Sequence, residues 1–200
     1  MKIFYSSASP FVRKAMIVAE ELGINDRIER LPAAASPVKR DTNILPYNPL
    51  AQVPTFFTDD EQVLFDSKVI CEYLNTTFKG NLFGDEQTRW KMLTDHAAAD
   101  GIIGAALLVR YELLARPEEL QWKEWLDGQT DKITTTLQYF EDKAKELEDR
   151  IDIVTITLAC AVDYLDFRLP DYNWQGHFPA LKSWYEKFSV RPSIATTKPK

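Results

Sequence analysis

The chain has 200 residues and a formal net charge of -6, with 24 Lys and Arg set against 30 Asp and Glu. The two signs are interleaved, which excludes the clustered cationic face that nucleic-acid phosphates require. A hydrophobic content of 45%, with five Trp, eight Tyr and eleven Phe, belongs to a globular protein and excludes a disordered tail as the main feature. The only two cysteines, Cys71 and Cys160, lie far apart inside apolar helical patterns. They form neither a metal cluster nor a disulfide framework and read as buried thiols in a reducing cytoplasm. No window approaches the roughly 18 apolar residues that span a bilayer, and "MKIFYSSASPF" lacks an apolar leader core, so a soluble cytoplasmic protein without a membrane partner is expected.

Lys2 to Ser6 is a short apolar run, after which Ser9-Pro10 supplies an N-cap residue and a first-turn proline. Val12, Ala15, Met16, Ala19 and Leu22 then recur at helical spacing, and Gly23 stands where a left-handed residue would end the helix. A second strand is expected around Ile28 to Leu31. The following "PAAASPVKRDTNILPYNPL" is rich in Pro, Asn and small residues and reads as a long irregular connection, a kind of loop that often carries function. Pro54 to Thr58 and Val63 to Phe65 flank "DDEQ" as two antiparallel strands with their turn. Asp66-Ser67 then caps a helix with Val69, Ile70, Tyr73 and Leu74 on one side.

The composition shifts after "TFKGNLFGDEQ", which reads as a linker over residues 80–87 between a mixed α/β unit, residues 1–79, and an all-α unit, residues 88–200. All five tryptophans lie in the second unit among long amphipathic segments, and Pro117 reads as the first-turn residue of a new helix.

Four features in this order, "SPFVRKAM", "NPLAQVPTF", "FDSKVICEYL" and "TITLACAVDYLDFR", resemble the glutathione S-transferase family, in particular its small bacterial members, over essentially the whole chain. The resemblance implies a thioredoxin-like N-terminal domain in the order βαβαββα, an all-helical C-terminal domain, and a homodimer. It also implies glutathione as co-substrate on the first domain and a small apolar electrophile in the cleft between the two, without a metal.

That chemistry sets a demand. A free thiol with a pKa of about 8.5 is only a few per cent thiolate at pH 7. Lowering the pKa by two units takes about 2.7 kcal/mol of preferential anion stabilisation. A hydroxyl donating to the anion contributes roughly 1.5–3 kcal/mol and a helix N-terminus about 0.3–1 kcal/mol more. A serine just before the first helix can supply both. The family pattern in which the active residue immediately precedes Pro-Phe selects Ser9 as the catalytic residue. The delta-like pattern falls one position earlier, on Ala8. The zeta-like pattern makes Ser6 the candidate, with Ser7 beside it, but its cysteine is Ala8 here and its Trp-Arg is Pro10-Phe11. Without the family, Ser9 is simply an N-cap. The turn also lacks the cysteines of thioredoxin-like redox proteins, so thiol–disulfide exchange through an enzyme cysteine at this turn is excluded.

Val53-Pro54 matches the family's cis-proline, whose preceding residue pairs its backbone with the cysteinyl part of glutathione. Asp66 and Ser67 match the acidic-Ser pair at the γ-glutamyl end, and they also suit a plain N-cap. Gln52 stands where a Lys or Gln in the family often contacts the glycyl carboxylate, and Arg40 from the long loop is a further candidate for the same group. Ile151 to Thr155 matches the family's capping box with its carboxylate and hydroxyl exchanged, a folding feature. His96 and His177 read as ordinary packing or surface residues, and Asp100, Arg110 and Tyr111 lie on the helix that lines the family's cleft. Two further readings stand beside the transferase: an interaction protein that kept the fold as a scaffold, and a glutathione-dependent disulfide reductase.

Overall fold

The computed structural model describes residues 1–34 and 36–199. Strand β1, Lys2–Tyr5, leads into helix α1, Pro10–Glu21, and β2, Glu29–Pro32, runs parallel to β1. Strands β3, Thr55–Phe57, and β4, Val63–Phe65, form the expected antiparallel hairpin, and the sheet order is β2-β1-β3-β4. Helix α2, Ser67–Thr77, follows directly. Gly23, with φ of +66°, sits just past the end of α1 in the conformation its lack of a Cβ permits.

The helix that the family order implies between β2 and β3 is reduced to turns. Leu45 donates to the Asp41 carbonyl at 3.1 Å and Asn48 to that of Ile44 at 3.0 Å, and Pro46 and Pro49 prevent a longer run by removing backbone donors. The irregular connection read from composition describes this segment better than the family's helix does. Asp41 pins it: its carboxylate accepts from the backbone N–H of Ala34 at 2.8 Å and of Asn43 at 2.9 Å, which holds its pKa below the usual carboxylate range.

The helical region comprises α3, Arg89–Ala115; α4, Lys123–Glu141; the short α5, Ala144–Leu147; α6, Ile153–Arg168; α7, Trp174–His177; α8, Pro179–Phe188; and α9, Pro192–Ala195. Helix α6 is apolar around nearly its whole circumference, so it can only be stable as a central helix. It packs against α1 and α3, and the apolar core runs continuously from the sheet through α1 into the helical region. The exchanged capping box holds α6: Asp152 accepts from Val154 N–H at 2.9 Å and Thr155 N–H at 3.1 Å, and Thr155 Oγ1 accepts from Asp152 N–H at 3.0 Å.

Several expectations need correction. Helix α3 is long and apolar enough to cross a bilayer, with a mean hydropathy of 1.3 over 18 residues, contrary to the reading that no window approached that length. It packs between α4 and α6, so an interior position accounts for its composition. Pro117 precedes a 3₁₀ turn, Glu118–Leu120, rather than opening α4. Val69 on α2 is exposed, and Cys71 and Asn75 take the buried face beside Ile70 and Leu74. Of the tryptophans only Trp174 and Trp184 enter the core.

Candidate functional site

Sheet register brings three separate segments to one end of the sheet. Ile3 pairs with Phe56 and Lys2 with Phe57 across the antiparallel β1-β3 pair, so the chain leaves β1 beside the start of β3. Thr55 lies opposite Phe65, which sets Val53-Pro54 next to Asp66-Ser67. Both α1 and α2 therefore begin at the same end of the sheet, with their N-termini towards it.

Ser9 is the N-cap of α1, with extended backbone angles, and its Oγ accepts from Val12 N–H at 3.3 Å. That bond uses a lone pair and leaves the hydroxyl proton free to be donated outward. Capping and donation to an anion are therefore compatible in one side chain. Ser9, Ala8 and Ser6 line a cleft of about 560 Å³, whereas Ser7 lines a different, small cavity of about 30 Å³ with Tyr5, Arg13 and Thr197. The geometry separates the three serines of the turn: Ser7 lies off the cleft.

The Val53-Pro54 peptide is cis, and Gln52, Val53 and Arg40 line the same cleft. Buried Asn48 fixes this segment, donating to the Gln52 carbonyl at 3.3 Å and Thr55 Oγ1 at 2.9 Å and accepting from Leu50 N–H at 2.9 Å. Among the described residues neither the N–H nor the carbonyl of Val53 has a protein partner, so its peptide edge is open to an extended ligand. The Arg40 guanidinium donates to the Pro49 carbonyl.

Asp66 and Ser67 do not line that cleft; they sit beside it at the start of α2. Asp66 is the N-cap, its carboxylate accepting from Lys68 N–H at 2.8 Å, and its φ of +60° is unusual for a residue with a Cβ. Asp66 is exposed and Ser67 is buried.

Sequence reasoning missed the buried charges on α1. Lys14, 0% exposed, pairs with Asp100 of α3 at 2.7 Å and meets His96 Nε2 at 3.3 Å. Asp100 also reaches Lys68 of α2 at 3.5 Å, so one carboxylate ties both N-terminal helices to the helical region. Arg13 pairs with Asp163 of α6 at 2.7 Å, and Asp163 accepts from the Tyr185 hydroxyl. The missed signal was the position of Arg13 and Lys14 among the apolar residues of α1, beside Val12 and Ala15. Burial, with Lys14 adding to it, lowers the His96 pKa to about 4, so the imidazole is neutral at pH 7. Burial also pushes the Cys71 thiol up to about 12 and the Cys160 thiol up to about 11, consistent with inert buried thiols.

The far wall of the cleft is helical: Leu107, Arg110, Tyr111 and Leu114 of α3, with Tyr164 and Arg168 of α6. His177 lies outside this cleft. An open groove of about 780 Å³, lined by Val38, Leu108, Leu120, Trp122 and Trp125 among others, shares Tyr111 with it. Among the described residues there is no cluster of three or more His, Cys, Asp or Glu side chains arranged for a metal ion.

Comparison with known proteins identifies the class. The sequence model of the glutathione S-transferase N-terminal domain matches residues 8–77. The GST-like protein YibF of Escherichia coli (strain K12) is 34% identical over 100% of this chain and 98% of its own length. A glutathione transferase family member from Pseudomonas fluorescens Pf-5, crystallised with bound glutathione, matches at 44% identity and a TM-score of 0.97, over 100% of this chain and 98% of that one. A second structure from that organism, with bound S-(propanoic acid)-glutathione, matches at 43% identity and a TM-score of 0.92, over 100% of both chains. The chain belongs to the glutathione S-transferase family.

Proposed function

We propose that the protein binds glutathione at this end of the sheet and activates its thiol for attack on an electrophile in the cleft. The observation that carries this reading is the convergence of the Ser9 hydroxyl, the open Val53 peptide edge and the Asp66-Ser67 cap at one end of the sheet. Glutathione bound in the 44% identical relative supports it. In this reading Val53 pairs with the cysteinyl backbone as a short strand. Asp66 accepts from the γ-glutamyl ammonium while Ser67 and the α2 amides hold its carboxylate. Gln52 and Arg40 face the glycyl carboxylate.

Ser9 donates to the thiolate, and the first-turn amides of α1 add their partial positive charge. The thiolate attacks an electrophile whose body lies against Leu107, Leu114 and Phe11. The second structure of that relative holds a glutathione already substituted at sulfur, which supports a cleft with room for that group. Homodimeric assembly belongs to the same proposal and is checked by sedimentation equilibrium.

Calorimetric titration with glutathione tests the reading. Saturable binding with a Kd below a few millimolar is expected, together with a rise in melting temperature on adding ligand. Absence of both would make the scaffold reading the correct one. Faster turnover of a mixed glutathione disulfide than of an aryl halide would instead favour the disulfide reductase.

A further inference from the structure

In a protein of net charge -6, none of the residues lining the cleft is acidic, while three are arginines: Arg40, Arg110 and Arg168. Arg40 belongs to the glutathione side, on the loop before Gln52. Arg110 and Arg168 stand on the opposite, helical wall. Both are half-buried, and among the described residues no carboxylate lies within ion-pair distance of either.

The contrast with their own helices is informative. On α3, Lys91 pairs with Asp95 at 3.0 Å, Glu112 pairs with Arg116 just past the helix end at 2.8 Å, and Asp100 takes Lys14. On α6, Asp163 takes Arg13. Among the described residues the charges on these helices that do not line the cleft have ion-pair partners, apart from Asp166, whose carboxylate accepts from Trp174 Nε1 at 2.8 Å and Gln175 Nε2 at 3.1 Å. The Arg168 guanidinium is seated 3.9 Å from the Phe167 ring centroid, which restrains it, and Tyr164 stands one turn earlier on the same wall. Burial raises the pKa of Tyr111 and pushes that of Tyr164 up to about 12, so both phenols keep their protons and can donate hydrogen bonds. Two arginines and two tyrosines thus line the cleft wall beyond Ser9, and among the described residues no carboxylate lines it with them.

We infer that this wall is a carboxylate subsite, and that the co-substrate is an electrophile carrying a carboxylate on its apolar body. The inference rests on the glutathione-binding reading above and narrows its substrate class. The simplest such reactant is an α,β-unsaturated carboxylate. The glutathione sulfur forms a C–S bond to the β-carbon, and the alkene electron pair moves to the α-carbon. That carbon takes up one proton, matching the one the thiol released, so the step is an addition without leaving group or redox change. The arginine wall holds the carboxylate so that the β-carbon faces the sulfur, and it offsets the negative charge that gathers beside the carboxylate during attack.

Binding of S-conjugates tests this without requiring turnover. Affinities of glutathione, S-(2-carboxyethyl)glutathione and the isosteric S-(2-carbamoylethyl)glutathione are measured by calorimetry for the wild type, Arg110→Gln, Arg168→Gln and the double variant. The wild type is expected to bind the carboxylate conjugate at least about tenfold more tightly than the amide, because charge-assisted bonds are about twice as strong as neutral ones. The double variant is expected to bring that ratio near unity. Glutathione itself lacks the substituent and reports whether each variant retains its fold. Equal affinity for the two conjugates in a wild type that binds glutathione overturns the carboxylate subsite alone. A preference that survives in the double variant overturns its assignment to these arginines. Failure of the wild type to bind glutathione overturns the reading beneath both.

Discussion

Replacing Asp100 by Asn removes the carboxylate that, among the described residues, holds Lys14, a cation with 0% exposure, and leaves it only neutral acceptors, the amide oxygen and His96 Nε2 at 3.3 Å. Stranding a buried charge costs about 3–5 kcal/mol. The reverse change, Lys14→Met, is milder, because Asp100 keeps Lys68 at 3.5 Å and that lysine reaches solvent. It should cost about 1–3 kcal/mol. The double variant Lys14→Met, Asp100→Leu removes both charges and fills the space, and it should unfold within about 1 kcal/mol of the wild type. Urea unfolding followed by far-ultraviolet circular dichroism gives all three values by linear extrapolation. A loss below about 1 kcal/mol for Asp100→Asn, or a double variant as unstable as that single one, would refute the claim that this pair is a buried and mutually dependent unit.

His96 predicts an acid limb. Its folded pKa of about 4 lies below the 6.5 of a free imidazole, so between those values the unfolded chain binds more protons. Stability fully present above about pH 6.5 is lost as the pH falls towards 4, by at most roughly 3 kcal/mol from this residue. His96→Gln should flatten that limb in urea titrations at several pH values, and an equally steep curve in the variant would contradict it. Asp152→Ala removes the acceptor for two amides at the start of α6 and should lower stability by about 1–2 kcal/mol in the same assay, whereas Asp152→Asn should cost less. At Asp66 the cap and the ligand role can be separated, because Asn caps as well as Asp but carries no charge for an ammonium. Asp66→Asn should weaken glutathione binding by about tenfold at unchanged stability, as read by calorimetry beside thermal unfolding.

Where one local rule decided an element, the sequence was sufficient. Ser9-Pro10, Gly23, the turn after Thr58 and the box from Asp152 to Thr155 are set by dihedral and capping preferences of their own residues, and the structure has them at those positions. The β3 and β4 strands fell within a residue or two of expectation for the same reason. The segment between β2 and β3 divided the two kinds of reasoning: its prolines argued against a helix, family order argued for one, and the prolines prevailed. What stayed hidden depended on contacts between distant elements. Arg13 and Lys14 look like ordinary solvated charges on a first helix until Asp163 and Asp100 arrive from α6 and α3. The candidate site lies between these cases. Ser9, Val53-Pro54 and Asp66-Ser67 were legible as motifs, but their convergence needed the β1-β3 and β3-β4 registers, and that Arg110 and Arg168 meet no carboxylate among the described residues is a property of the packed helices.

If Ser9 steadies a thiolate, the ionisation of bound glutathione must shift with it. The ultraviolet absorbance of the thiolate is followed against pH for the wild type and Ser9→Ala at saturating glutathione. The wild-type midpoint should lie about 1–2 units below the 8.5 of the free thiol, and Ser9→Ala should raise it by about one unit. A midpoint that stays at the free value in the wild type, or that Ser9→Ala leaves unmoved, would mean that Ser9 does not stabilise the thiolate.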